Sequence, residues 1–320
     1  MKSLSEINFN NIKTVGIRVD FNIPIDENFK ITDNTRILRA RDTIAFVKDQ
    51  NCKILLLSHF GRPKKTFDKK FSFQTLINQF SEVLDVKLNL LTYESFSKNG
   101  LSDFKNLNHQ ITLLENIRFF KGEIDNELTF SKSITDQLDL YINEAFSASH
   151  RSHSSVNRMP KNITSVPGFN FEKEVLAIKE IKNSTKKKLA IIGGSKVSTK
   201  INTLLSLTKS CANIFISGAM ANNFLKFKGI PVGSSLLEEG SEKMINQIYA
   251  SAQEKECEIH LPLDVVLDNE NTSTIDKLSS QDNFKILDLS DESLKLLTSL
   301  IHKSELILWN GPLGKIEDTF

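Results

Sequence analysis

A chain of 320 residues with 39% apolar and 25% charged side chains and a net charge of +2 has the composition of a globular protein, too long for one ordinary core, so two domains are expected. Residues 1–160 carry 22 Lys and Arg against 19 Asp and Glu, the remainder 19 against 20; neither half is basic enough for nucleic acid to be the main partner, so any anion site must be a local focus of charge. Cys52, Cys211 and Cys257 lack metal-ligand spacing and read as reduced thiols of a cytoplasmic protein, while the N-terminus has no signal-peptide pattern and no window approaches a membrane span.

In chain order, apolar β-rich runs at 14–19, 52–57, 86–91, 111–114 and 139–142 alternate with helix-like stretches such as 36–50 and 73–84. The style repeats in K-L-A-I-I-G-G at 188–194, A-N-I-F-I-S-G at 212–218, C-E-I-H-L-P at 257–262 and E-L-I-L-W-N-G-P at 305–312. Apolar strands alternating with amphipathic segments predict an α/β protein of two doubly wound parallel-sheet domains, each sheet covered by helices on both faces. The boundary falls near Val166-Pro167-Gly168, giving a first domain over 1–167, a connector over 168–183 and a second domain over 184–320. Within the connector, Phe171, Val175, Ile178 and Ile181 share one face of a helix predicted over 171–183.

Ligands of such sheets sit outside the carboxyl ends of the strands. In the first half those ends are polar clusters that each contribute an arginine: R-V-D-F-N-I-P followed by T-R-I with Arg36, S-H-F-G-R-P with His59 and Arg62, E-N-I-R-F with Arg118, and S-H-R-S-H-S-S with Arg151. Guanidinium groups gathered from distant stretches suit a small, multiply charged anion, since each can bind a phosphate or carboxylate through two parallel hydrogen bonds. One surface arginine alone would be read as merely solvated; four in this order are not. In the second half the same strand ends carry Gly193-Gly194-Ser195-Lys196, Ser217-Gly218-Ala219-Met220, Pro262-Leu263-Asp264 and Asn310-Gly311-Pro312. A basic crevice in one domain and a glycine-lined one in the other is the organisation of a two-substrate enzyme.

Simpler readings exist for several of these residues. Asp20 and Asn22 could cap a turn before Pro24, and Gly193-Gly194 alone is only a tight turn. Neither G-x-x-x-x-G-K-[ST] nor G-x-G-x-x-G occurs, which removes support for a P-loop kinase or a Rossmann dehydrogenase. His150 and His153 have metal-like spacing but no matching Cys, His or carboxylate set nearby, so no metal ligand set is expected.

The ordered stretches R-V-D-F-N-I-P, T-R-I, L-S-H-F-G-R-P, L-L-E-N-I-R-F, N-E-A-F-S-A-S-H-R-S-H-S-S, G-F-N-F-E-K-E, I-I-G-G-S-K-V-S-T-K-I, G-A-M-A-N-N-F-L, L-P-L-D-V-V and W-N-G-P-L-G-K-I-E resemble phosphoglycerate kinase along nearly the whole chain. The resemblance implies reversible phosphoryl transfer between 1,3-bisphosphoglycerate with ADP and 3-phosphoglycerate with ATP, in glycolysis, by a cytoplasmic monomer. It assigns Asp20, Phe21 and Asn22 to the glycerate, and Arg36, His59, Phe60, Gly61, Arg62, Arg118 and Arg151 to the substrate's basic patch. Lys200, Asn310 and Glu317 would hold the Mg-nucleotide, and Arg36 and Lys196 would serve the phosphoryl group in flight. Because a carboxylate acceptor is already ionised at neutral pH, no general base is needed and His59 reads as an anion-binding donor. Domain closure with a hinge in the connector helix is also implied.

Three departures from the family pattern stand out. Glu144-Ala145-Phe146 replaces the usual D-A-F, and Ser217-Gly218-Ala219-Met220 has one glycine fewer than G-G-x-M. Family members also continue past the equivalent of Phe320 with βα units bearing G-G-G-D-[ST] and T-G-G-G loops. A second domain incomplete at its C-terminus is therefore expected, with poor turnover. The alternative reading is an inactive short form that keeps only the glycerate-phosphate site.

Overall fold

The computed structural model describes residues 2–64, 66–106, 109–281 and 283–315. It divides into two compact units, Met1–Lys179 and Glu180–Phe320. The helix Phe169–Asn183 carries the chain from one into the other, starting two residues earlier than its sequence pattern suggested. No residue of this helix is buried; Phe171 of the expected apolar face meets Phe146 edge-on at 5.4 Å between ring centroids, while Ile178 is 48% exposed.

The first unit is built on six parallel strands: β1 (Thr14–Arg18), β2 (Lys53–Leu57), β3 (Asn89–Leu91), β4 (Ile111–Leu114), β5 (Leu140–Asn143) and β6 (Ser165–Pro167), in spatial order β3-β4-β2-β1-β5-β6. Alternate residues of one strand enter different cores. Ile54 and Leu56 pack with Val15, Ile17 and Leu113 on one face, whereas Leu55 and Leu57 pack with Leu114 and Tyr141 on the other. Strands buried on both faces lose the apolar–polar alternation of a solvent-facing sheet, which is why they read as unbroken apolar runs. Gly16 of β1 answers to the second face, where a Cβ would come within 2.6 Å of Leu138 and 3.1 Å of Tyr141. β6 was not anticipated: it ends in Val166 and Pro167, two of the three residues that marked the expected domain boundary. The stretch 36–50 forms two helices, Thr35–Arg39 and Arg41–Asp49, rather than one.

The second unit holds a four-stranded parallel sheet of β7 (Lys188–Ile192), β8 (Asn213–Ile216), β9 (Glu258–His260) and β13 (Leu306–Asn310), in order β13-β7-β8-β9. Leu189 and Ile191 face one core and Ala190 and Ile192 another, repeating the two-sided burial of the first unit. Beside it lies a three-stranded antiparallel sheet of β10 (Asp264–Leu267), β11 (Thr272–Thr274) and β12 (Ile286–Leu289). That sheet was not read from sequence, because β11 and β12 are short and carry polar residues such as the exposed Thr272 and the half-buried Asp288. No helix among the described residues is long and apolar enough to cross a membrane.

Candidate active site

β1 and β5 are neighbours whose following strands, β2 and β6, lie on opposite sides of the pair, which makes their carboxyl ends a topological switch point of the kind where ligands sit. The clusters of Arg62 and Arg118 start directly after β2 and β4, the cluster of Arg151 begins at Ser149 beyond the end of β5, and the first follows β1.

Asp20, two residues beyond β1, accepts from Arg36 Nη1 at 2.7 Å, from Ser147 Oγ at 2.5 Å and from the Asn22 backbone N–H at 3.1 Å. One carboxylate thereby joins the ends of β1 and β5 to the helix bearing Arg36, leaving that guanidinium about half exposed. The loop after β2 is fixed from its neighbours. Asn22 Oδ1 accepts from Gly61 N–H at 2.8 Å, and the buried Asn116 donates to the Phe60 carbonyl at 2.7 Å while accepting from its N–H at 3.2 Å. Gly61 sits at φ +60°, where a Cβ would lie 2.3 Å from the Phe71 ring, so glycine alone fits. Arg118 Nη1 donates to the Gly61 carbonyl at 2.5 Å.

Among the described residues no carboxylate forms an ion pair with Arg62, Arg118 or Arg151. Burial, together with the fields of Arg151, Arg18 and Arg62, pushes the Arg118 guanidinium down to about 10. These cations therefore stand close enough to repel one another, and a multivalent anion among them would relieve that repulsion.

Two of the assigned residues turn their side chains inward. The Phe21 ring is fully buried, 5.1 Å from Phe80, and Phe60 is buried against Phe71 and Phe73. Their backbone N–H groups donate to Ser58 Oγ and Asn116 Oδ1, and the rings anchor the two loops to the core.

In the second unit three glycine turns meet backbone to backbone. Gly193 N–H donates to the Asn310 carbonyl at 2.9 Å, Gly218 N–H to Leu313 at 2.7 Å and Met220 N–H to Gly194 at 2.7 Å. A Cβ on Gly193 would fall 1.8 Å from the Pro312 carbonyl oxygen. Val197 is buried while Lys196 and Ser198 are exposed, so the loop after β7 is pinned at its middle with Lys196 turned outward. Glu238 accepts from the backbone and hydroxyl of Ser198, which, more than the nearby Lys196, holds its carboxyl below the usual range. Lys200 Nζ donates to Asn310 Oδ1, bringing together two of the three residues expected at the nucleotide. Glu317, the third, lies outside the described residues.

A family model described as phosphoglycerate kinase matches residues 4–320. The chain belongs to the phosphoglycerate kinase family. It is 38% identical over 313 residues to the phosphoglycerate kinase of Prochlorococcus marinus strain MIT 9515, covering 95% of this chain and 78% of that protein. The structure of phosphoglycerate kinase from Coxiella burnetii superposes with a TM-score of 0.81 at 32% identity, over 99% of this chain and 81% of that one. The Pyrococcus horikoshii enzyme, at 24% identity, shares the fold with the same TM-score.

Beneath the phosphoglycerate kinase motifs lies a polar layer that sequence reading passed over. Arg18, only 2% exposed, donates from Nε to Ser155 Oγ at 2.9 Å, from Nη1 to the Val19 carbonyl, and from Nη2 to His59 Nδ1 at 3.0 Å. Ser155 in turn donates to the buried Glu123 at 2.6 Å, and its N–H reaches the same carboxylate at 2.8 Å. The signal was present: Arg18 is the one charge in the otherwise apolar V-G-I-R-V of β1. Glu144, standing for the family's aspartate, is buried and accepts from Thr43 Oγ1 at 3.1 Å and from the Asn170 backbone at 2.9 Å, so it caps the first turn of the helix Phe169–Asn183. Burial pushes its carboxyl up to about 7 despite those hydrogen bonds.

Proposed function

We propose that this phosphoglycerate kinase family member catalyses reversible transfer of a phosphoryl group between 1,3-bisphosphoglycerate with ADP and 3-phosphoglycerate with ATP, acting in glycolysis as a cytoplasmic monomer. The observation that carries the reading is the cluster of carboxylate-free arginines at the switch point of the first unit's sheet, in a chain of this family. Asp20 and Asn22 orient the glycerate, with the backbones of Phe21 and Phe60 beside them. Arg62, Arg118, Arg151 and His59 hold its phosphate, and Arg36 acts on the group in transfer. In the second unit Lys200 and Asn310, with Glu317, hold the nucleotide, and Lys196 approaches the moving phosphoryl group.

The acceptor is an ionised carboxylate, so the chemistry demands charge stabilisation and alignment rather than proton removal. Two like charges at 4 Å repel by about 1 kcal/mol in water and roughly 4 kcal/mol at an effective dielectric of 20. Carboxylate and polyphosphate carry several such pairs, which accounts for spending an arginine cluster and a lysine on one reaction. Among the described residues no group of three His, Cys or acidic side chains could hold a metal by itself; Mg²⁺ enters as part of the substrate, MgATP or MgADP, on which it neutralises phosphate charge.

Calorimetric titration with 3-phosphoglycerate and a coupled assay with MgATP test the reading. Micromolar-to-millimolar binding that is lost in Arg118→Ala supports it, and absence of 3-phosphoglycerate binding sinks it.

A further inference from the structure

The hydrogen bonds around Arg18 run in one forced direction. Arginine has only donors and an ionised carboxylate only acceptors. Ser155 spends its one proton on Glu123, so its oxygen is free to accept from Arg18 Nε. Arg18 Nη2, 3.0 Å from His59 Nδ1, must likewise donate, which leaves Nδ1 bare and puts the ring proton on Nε2. His59 is itself buried, 7% exposed.

We propose that Arg18 is a positioning residue that fixes His59 as the neutral Nε2–H tautomer, so that His59 presents one permanent donor to the substrate anion. Arg18 is itself buried, only 2% exposed, and each of its three nitrogens already makes a hydrogen bond within the protein. It acts through His59.

The surroundings oppose a second proton on the ring. Arg18 from β1, Arg118 from the turn Ile117–Phe119, His153 from the segment after β5 and Arg36 from the helix Thr35–Arg39 all add positive field at the ring. Glu123, on the helix Lys121–Ile124, is the acid of this network, and it is bonded to Ser155 and lies 3.9 Å from His153 Nδ1. Burial first, and these cations next, hold His59 far below the ordinary range. A His59 that acquired charge would bind phosphate more strongly at acid pH; a fixed neutral donor makes its contribution independent of pH. The consequence for catalysis rests on the reading of His59 as an anion ligand, but the tautomer does not.

Two-bond ¹⁵N–¹H correlation spectra of the full chain test this, with the His59 signals identified by their loss in His59→Gln. Wild type should show protonated Nε2 and bare Nδ1 throughout pH 5 to 8, the range where an ordinary histidine titrates. A proton on Nδ1, or titration within that range, overturns the proposal. Arg18→Met should lose the single tautomer and bring titration into the window; if it keeps both features, Arg18 is not their cause. Should that variant fail to fold, Arg18→Gln serves, because its amide can turn an acceptor as well as a donor toward Nδ1 and should give mixed tautomers. Addition of 3-phosphoglycerate separates the two readings. A fixed Nε2–H that does not respond removes the anion role and keeps the positioning role, and a responding Nδ1–H does the reverse.

Discussion

Asp20, Arg36 and Ser147 meet at hydrogen-bond distance although they come from separate stretches of chain, and this convergence gives Arg36 a defined place. Arg36→Ala should lower kcat and kcat/KM together, by about 10²–10³-fold, because a contact made chiefly in the transition state affects both. A raised KM with unchanged kcat would reassign Arg36 to ground-state binding. Lys200→Ala should weaken MgADP binding roughly tenfold, a loss of about 1.4 kcal/mol, with Lys196→Ala reducing kcat at unchanged nucleotide affinity; equal affinities in the two variants by calorimetry would refute this division of roles. Glu144 makes a prediction in pH. Its carboxyl, pushed up to about 7 from an ordinary 4.5, favours the protonated form in the folded protein. Its contribution to stability is full below 4.5 and is lost as pH rises through 7, a span of about 3 kcal/mol. His59, His153 and His260, pushed down by burial, contribute in the opposite sense. The effect is therefore read as the difference in denaturant stability between wild type and Glu144→Gln, which should fall across that window; a flat difference would mean that Glu144 is ionised throughout.

At the scale of elements, function depends on how turns close at strand ends. The turn after β7 passes so near the turn after β13 that a methyl group on Gly193 would collide with the Pro312 carbonyl. Backbone cannot give way as a flexible side chain can. Gly193→Ala should therefore destabilise the second unit by about 1–3 kcal/mol and also weaken nucleotide binding, since Lys200 and Asn310 meet across the same two turns. Urea unfolding followed at Trp309 measures the first effect and MgADP titration the second. Unchanged stability would show that the turns can separate without cost. The strands themselves were legible because two-sided burial leaves few polar positions, as in K-I-L-L-L of β2. The β10–β12 sheet was not, because its pairing is decided by neighbours rather than by a period in its own residues.

For the whole molecule, two units with separate cores imply two separately addressable ligand sites. In hydrogen exchange, 3-phosphoglycerate should protect 18–22, 58–62, 116–118 and 149–155, whereas MgADP should protect 193–200, 217–220 and 310–313. Ligand binding stabilises the segments it contacts against local opening. Protection of the first set by MgADP alone would contradict the division of labour.

The chain's own pattern determined the α/β class, most of the strands, and the gathering of arginines and glycines after them, because apolar runs must be buried and the charges that follow them must stay at strand ends. The roles of Asp20, Arg36, His59, Lys200 and Asn310 were instead what the resemblance of their motifs to the family implied. Only the tertiary structure decided which polar groups go inside and what satisfies them. Arg18 is tolerable in the core because Ser155, 137 positions away, accepts from it, and Glu144 because Thr43, 101 positions away, donates to it. The rings of Phe21 and Phe60 turn inward because Phe80, Phe71 and Phe73 arrive there. An unpaired buried charge costs several kcal/mol, so a lone arginine in a strand is uninterpretable until its distant partners are known.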